Sequence, residues 1–189
     1  MLEELGVPYE LNFVDMAAGA HKAPGHRQLN GMGKLPVLED GEAVVSETAA
    51  IAVYLGDRYG LGRLAPELID PRRGAYLRWC FYGPSVVEPS CAAKANGWEG
   101  RAGALGWGAH EDMLATLEAG LSAGPWLLGE QFTMADIVVG GTVRWMLAFK
   151  MLDARPAFVD YAERLGARPA NAAAAAINAR VAEERGLKR

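Results

Sequence analysis

Apolar residues recur along this chain with two different periods, and the change falls near residue 60. Before it, short alternating runs sit among short helical ones. "LEELG", residues 2–6, reads as the last turn of a helix closed by Gly6. "YELNFVD", 9–15, alternates in the manner of a strand. "APGHRQLNGMG", 23–33, predicts a short helix closed by Gly31 and Gly33. "LPVLED" and "AVVSE" flank Asp40-Gly41, a strong hairpin signal, and the first of them places Pro36 inside the strand pattern. "TAAIAVYLGDRYG" then carries Ile51, Leu55 and Tyr59 at helical spacing and stops at Gly60.

From Pro66 onward the strand signals vanish. "RRGAYLRWCFYGPSVVEPSCAAKA" predicts a long helix kinked near Pro84, and the Gly-rich "GWEGRAGALGWG" breaks it. Met113, Leu114, Leu117 and Leu121 line one face of an amphipathic helix. An apolar, mostly buried helix follows in "FTMADIVVGGTVRWMLAFKML", and two more begin at Pro156 and Pro169. The chain therefore divides into a small α/β piece, residues 1–62, and an all-helical piece, residues 66–189. No internal repeat is visible.

The length of 189 residues fits such a pair, and 51% hydrophobic residues suffice for a core. The net charge is −4, and no stripe of Lys or Arg forms, which argues against nucleic acid as a partner. Apolar runs are broken well short of a membrane span, and the acidic start "MLEELGVPYE" is no secretory leader. On an unbroken helix Cys80 and Cys91 lie roughly 16 Å apart, too far for a disulfide. Pro84 and Pro89 bend that path, so the spacing alone leaves the question open. Two free thiols fit a reducing compartment such as the cytoplasm. His21, His26 and His110 form no metal-ligand set with them.

Two polar helix starts differ in kind. Thr133 and Asp136 give a capping box, with Phe132 and Ile137 as its hydrophobic staple, so this start satisfies its own amides. The start at Ser46, Glu47 or Thr48 has Ala49, Ala50 or Ile51 three residues on, and none of these returns a carboxylate. Its free N–H groups and positive dipole end suit either solvent or an external anion. Pro36, lacking an N–H, leaves the neighbouring Leu35 main chain facing outward, open to strand addition by an extended peptide. Together they sketch a short peptide-like ligand. Its carboxylate meets the helix amides, its amino group meets Glu47, and a second carboxylate meets His21, Lys22 and Lys34. For His21-Lys22 the alternative is a solvated loop.

The run "HKAPGHRQLNGMGKLPVLEDGEAVVSETAAI", with "PWLLGEQFTMADI" and the "ARPA" at 167–170, resembles the glutathione S-transferase family, nearest to its phi-like and bacterial members. The resemblance spans nearly the whole chain. It implies a thioredoxin-like N-terminal domain, an α-helical C-terminal domain, and a cis peptide at Leu35–Pro36. It implies that Leu35 pairs its backbone with the cysteinyl part of glutathione, that Glu47 and Thr48 hold the γ-glutamyl end, and that His21 and Lys22 lie near the glycine carboxylate, with Lys34 facing the ligand. It further implies a homodimer, with a small electrophilic substrate between the domains; Trp79 and Tyr82 are candidates for lining that pocket, plain packing being the alternative.

Two departures from the family stand out. Asn30-Gly31 replaces a frequent Asn-Pro, which predicts a looser turn. Family members also begin with a strand, a turn and a full helix before the segment matching "LEELG", roughly 15–20 further residues by usual element lengths. The Ser, Tyr or Cys that stabilises the glutathione thiolate belongs to that turn, so no residue here is nominated for it, and the N-terminal sheet is expected to be incomplete. Either Met1 is an internal methionine of a longer chain, or the chain is a short form with another role. The functional expectation is transfer of glutathione thiolate to an apolar electrophile, glutathione being co-substrate and no metal being needed. The alternatives are a non-catalytic binding or assembly module and a glutathione-dependent isomerase or dehalogenase.

Overall fold

The computed structural model describes residues 1–187. Its α/β part opens with α1 (Leu2–Leu5), closed by Gly6 in the left-handed conformation. After a 3₁₀ turn at Ala20–Lys22 come α2 (Pro24–Leu29), β1 (Val37–Asp40), β2 (Ala43–Ser46) and α3 (Thr48–Tyr59). β1 and β2 pair antiparallel from Val37↔Ser46 to Asp40↔Ala43. Gly41, with φ 61°, takes the first central position of the two-residue loop, where a side chain would be strained. Asp40 therefore ends the strand instead of entering the turn.

Two sequence expectations change here. Residues 9–15 form no strand, and among the described residues no backbone hydrogen bond ties 9–14 to a neighbour. Alternation predicts which face a strand would bury, but a strand also needs a partner ladder, and β1 and β2 pair only with each other. Pro36 stands immediately ahead of β1, outside the strand, so its missing N–H costs no ladder bond.

The helical part contains α4 (Arg73–Tyr82), α5 (Glu88–Ala95), α6 (His110–Ser122), α7 (Met134–Ala148), α8 (Pro156–Gly166) and α9 (Pro169–Glu184). The kink expected at Pro84 is a π-helical turn, Gly83–Val87, that joins α4 to α5 without breaking the path. Gly83 is needed there: a Cβ would lie 2.8 Å from Thr142 Oγ1 on α7. Cys80 and Cys91 are both buried free thiols, and burial pushes them up to about 12 and about 11.

α7 is the central post. Asp136 closes the capping box and accepts from the Thr133 N–H (2.8 Å), the Leu127 N–H (2.8 Å) and the Tyr161 hydroxyl (2.7 Å). Burial raises its carboxyl, and these donors oppose the rise. One continuous apolar core runs from Leu5, Ile51 and Leu55 through α4 and α7 to Phe158 and Tyr161. Tyr59, at the third position of the helical spacing, is exposed instead and donates to Asp40 Oδ2 (2.7 Å).

The two parts are bolted together by polar contacts remote in sequence. Arg168 grips Glu4 with two bonds of 2.5 and 2.8 Å, its guanidinium 3.5 Å from the Phe132 ring centroid. Arg73 pairs with Asp57 at 2.6 Å, and the Met134 N–H donates to Leu64 C=O at 2.8 Å. Among the described residues no helix is long and apolar enough to cross a membrane, and no cluster of His, Cys, Asp or Glu is arranged to hold a metal.

Candidate functional site

The hairpin register decides which residues meet. Val37 pairs with Ser46 at the end of the hairpin, so Pro36 and Glu47 are each the next residue beyond that pair, and Leu35 and Thr48 follow on either side. The Leu35–Pro36 peptide is cis, and both residues are solvent-exposed, as are Glu47 and Thr48. An extended main chain lying along Leu35 would therefore point one end at the start of α3.

That helix start is open. Glu47 provides no side-chain cap, and the first helical bond runs from the Ile51 N–H to Glu47 C=O (2.9 Å). The amides of Thr48, Ala49 and Ala50 precede it, at the positive end of a three-turn helix. Glu47 itself has φ 71° and ψ 123°, a left-handed backbone that costs a side-chain-bearing residue of order 1–3 kcal/mol and is characteristic of ligand clamps. By contrast, the start of α7 is closed by Asp136 and offers nothing to a ligand.

The loop ahead of Leu35 is braced by His26 and Asn30, to which the sequence assigned no part in the site. His26 Nε2 and Asn30 Nδ2 both meet the Lys34 carbonyl, at 3.0 and 3.1 Å. Asn30 Oδ1 accepts from the Met32 N–H (3.0 Å), and Asn30 C=O accepts from the Gly33 N–H (2.7 Å). Asn30 is only 6% exposed. The Asn30-Gly31 turn is thus held by three hydrogen bonds of Asn30, where the sequence suggested a looser turn. The Asn-Gly pair signalled a turn, but no sequence signal showed which carbonyl it would hold.

His21 and Lys22 are brought to the same loop. Gly33 has φ 57°, and a Cβ on it would sit 2.7 Å from His21 C=O. The Lys22 ammonium donates to Met32 C=O at 2.9 Å, which leaves two of its protons free for a ligand. His21 Nδ1 is enclosed with no hydrogen-bond partner among the described residues. The Lys34 side chain is exposed. Partial burial raises the carboxyl of Glu88, the first residue of α5, and the Lys34 charge opposes that rise. All seven candidate residues (His21, Lys22, Lys34, Leu35, Pro36, Glu47 and Thr48) therefore belong to the 3₁₀ turn, the braced loop and the α3 start. Trp79 is buried in the core against Gly120, and Tyr82 meets it edge-on at 5.1 Å. Packing accounts for both.

Known proteins resemble this chain in both of its parts. Residues 1–58 match the family model of the glutathione S-transferase N-terminal domain, and residues 101–165 match that of the glutathione S-transferase C-terminal domain. Glutathione S-transferase 1 of Triticum aestivum is 49% identical over 73 residues, a match spanning 39% of this chain and 31% of that protein. Glutathione S-transferase APIC of Nicotiana tabacum is 28% identical over 89% of this chain and 86% of its own length. Among solved structures, the glutathione transferase URE2P6 from Phanerochaete chrysosporium, in complex with oxidized glutathione, superposes with a TM-score of 0.76 at 28% identity, covering 95% of this chain and 89% of that one. With a small thioredoxin-like sheet and its helices leading into a helical C-terminal part, the chain belongs to the glutathione S-transferase family.

Proposed function

We propose that the chain binds glutathione as co-substrate and transfers its thiolate to a small electrophile. The observation that carries this reading is the hairpin end at which Val37 pairs with Ser46, with the exposed Leu35–Pro36 segment and the uncapped start of α3 one to two residues beyond that same pair. Glutathione is an extended tripeptide whose cysteinyl backbone pairs with Leu35 by strand addition. Its γ-glutamyl carboxylate takes the amides at Thr48, and its amino group takes Glu47. Its glycine carboxylate takes Lys22 and Lys34, with His21 beside them. In the transfer a sulfur–carbon bond forms, the leaving group departs with its electron pair, and the thiol proton passes to solvent.

A homodimer is the proposed assembly. An open, mostly apolar groove of about 580 Å³ lies on the outer face of α3, lined by Val45, Val53, Tyr54 and the exposed Phe81 of α4, and a second copy would cover it. Replacing Phe81 by Asp should convert a sedimenting dimer to monomer; an unchanged sedimentation coefficient would place the interface elsewhere.

The functional test compares glutathione with cysteinylglycine by calorimetry, then follows conjugation to an aryl chloride. The reading expects glutathione to bind and the dipeptide, lacking the γ-glutamyl group, to bind at least tenfold more weakly. Equal affinities would overturn the placement on α3. Binding without conjugation would instead make the chain a glutathione-binding module.

A further inference from the structure

The peptide unit between Lys34 and Leu35 is held at one end and free at the other. Its carbonyl oxygen meets His26 Nε2 at 3.0 Å and Asn30 Nδ2 at 3.1 Å. A carbonyl oxygen only accepts, so the His26 ring carries a proton on Nε2. His26 and Asn30 share one side of the last turn of α2, and the Asn30 N–H donates to His26 C=O at 2.9 Å, which fixes the two donors relative to each other. Both lone pairs of the Lys34 oxygen are thereby taken.

The other end of that unit is the Leu35 N–H. Leu35–Pro36 is the only cis peptide among the described residues, so the Lys34–Leu35 unit is trans and planar, with its N–H directed opposite to its C=O. The Leu35 N–H therefore points away from His26 and Asn30. It donates to no group among the described residues, and Leu35 is exposed. Two donors on the oxygen also polarise the amide, which strengthens its N–H as a donor. Closure of the loop has bonds of its own, from the Lys22 ammonium to Met32 C=O (2.9 Å) and from the Gly33 N–H to Asn30 C=O (2.7 Å). The His26 bond is not needed for that closure; what it adds is the orientation of one peptide plane.

We infer that His26 is a positioning residue of the glutathione site: through the Lys34 carbonyl it aims the Leu35 N–H at the cysteinyl carbonyl of glutathione. This rests on the glutathione-binding reading above. With its oxygen occupied, the peptide unit offers a ligand a donor and nothing else, so it selects a main-chain acceptor at this point. Because the plane is oriented before the ligand arrives, binding does not have to order it. Without His26, Asn30 holds the oxygen by a single bond, about which the plane can swing.

The experiment is a double-mutant cycle read by calorimetry. The ligands are glutathione and an analogue whose cysteinyl–glycine amide is replaced by a trans alkene, which keeps the shape and removes the acceptor. The proteins are the native chain, His26→Phe, which keeps a ring without the donor, and His26→Gln, which restores an N–H. The native chain should bind the analogue about tenfold more weakly than glutathione. His26→Phe should weaken glutathione about tenfold and the analogue by less than about twofold, because the bond that His26 serves is already gone. His26→Gln should bring glutathione back to within about threefold of the native affinity. Equal losses for both ligands, no recovery in His26→Gln, unchanged glutathione affinity in His26→Phe, or an analogue as tight as glutathione on the native chain each overturn the role of His26 while leaving glutathione binding intact. Urea unfolding of every variant is measured first. If His26→Phe does not fold, His26→Ser, too short to reach the Lys34 oxygen, runs the same cycle; failure of both to fold makes His26 a support of the fold and also overturns the role. If glutathione does not bind the native chain, the glutathione reading falls, and this inference with it.

Discussion

Replacing Asp136 by Ala tests the claim that one buried carboxylate organises the helical part. The change strips the acceptor from the Thr133 N–H, the Tyr161 hydroxyl and the Leu127 N–H. Thr133 and Tyr161 are fully buried, so each orphaned donor there costs about 1–3 kcal/mol; Leu127 is half-buried, and its amide costs about 1 kcal/mol. Burial already disfavours the charged carboxylate, and losing that charge returns part of the total. The net expectation is a loss of about 3–5 kcal/mol, a fall of about 8–15 °C in Tm for a chain of this size. Urea unfolding followed by tryptophan fluorescence is the assay. Trp126 packs edge-on against Phe132 at 4.7 Å and Tyr161 at 6.1 Å, so it reports on this cluster directly. Asp136→Asn should remain substantially destabilised, because its amide turns a donor toward the Thr133 N–H or the Tyr161 hydroxyl. A loss below about 1 kcal/mol for Asp136→Ala would sink this reading of Asp136, since two buried donors and a half-buried one are not left unpaired so cheaply.

Other perturbations follow the same logic. Asn30→Ala removes the brace on Lys34 C=O and the Met32 N–H and should weaken glutathione binding about tenfold, with calorimetry as the check; unchanged affinity would show that the brace is idle. His110 has its pKa lowered, first by burial and then by Lys94, so the folded state takes up its proton later than the unfolded chain as pH falls. Its contribution to stability is full above about pH 6.5 and is lost as pH drops through the lowered value; His110→Phe should flatten that part of a Tm-versus-pH curve. Arg168→Met should cost about 2 kcal/mol, and most of that cost should vanish in a Glu4→Gln background; purely additive losses would mean that the Phe132 contact, not the ion pair, matters.

The helices were legible because their information is local. The period of Met113, Leu114, Leu117 and Leu121, the Thr133–Asp136 box and the prolines at 156 and 169 each act within a turn or two. So was the open start of α3, since the absence of an acid after Thr48 is visible in the letters. The failure at 9–15 is of the other kind: a strand is made by its neighbour, and the pairing is not written in the segment itself. The pinning of Lys34 by His26 and Asn30 joins residues four and eight apart across a loop with no period to read. The Arg168–Glu4 grip spans 164 positions, beyond any window, and only "ARPA" hinted that the segment mattered.

On this reading the end of the hairpin and the open α3 start together form a glutathione site. The most direct measurement is a crystal structure of the chain grown with glutathione. The cysteinyl main chain should pair with Leu35, the γ-glutamyl carboxylate should lie on the amides at Thr48, and the amino group should meet Glu47. Glutathione bound away from Leu35 and Thr48, or absent from the crystal at a concentration that saturates binding in solution, would contradict it.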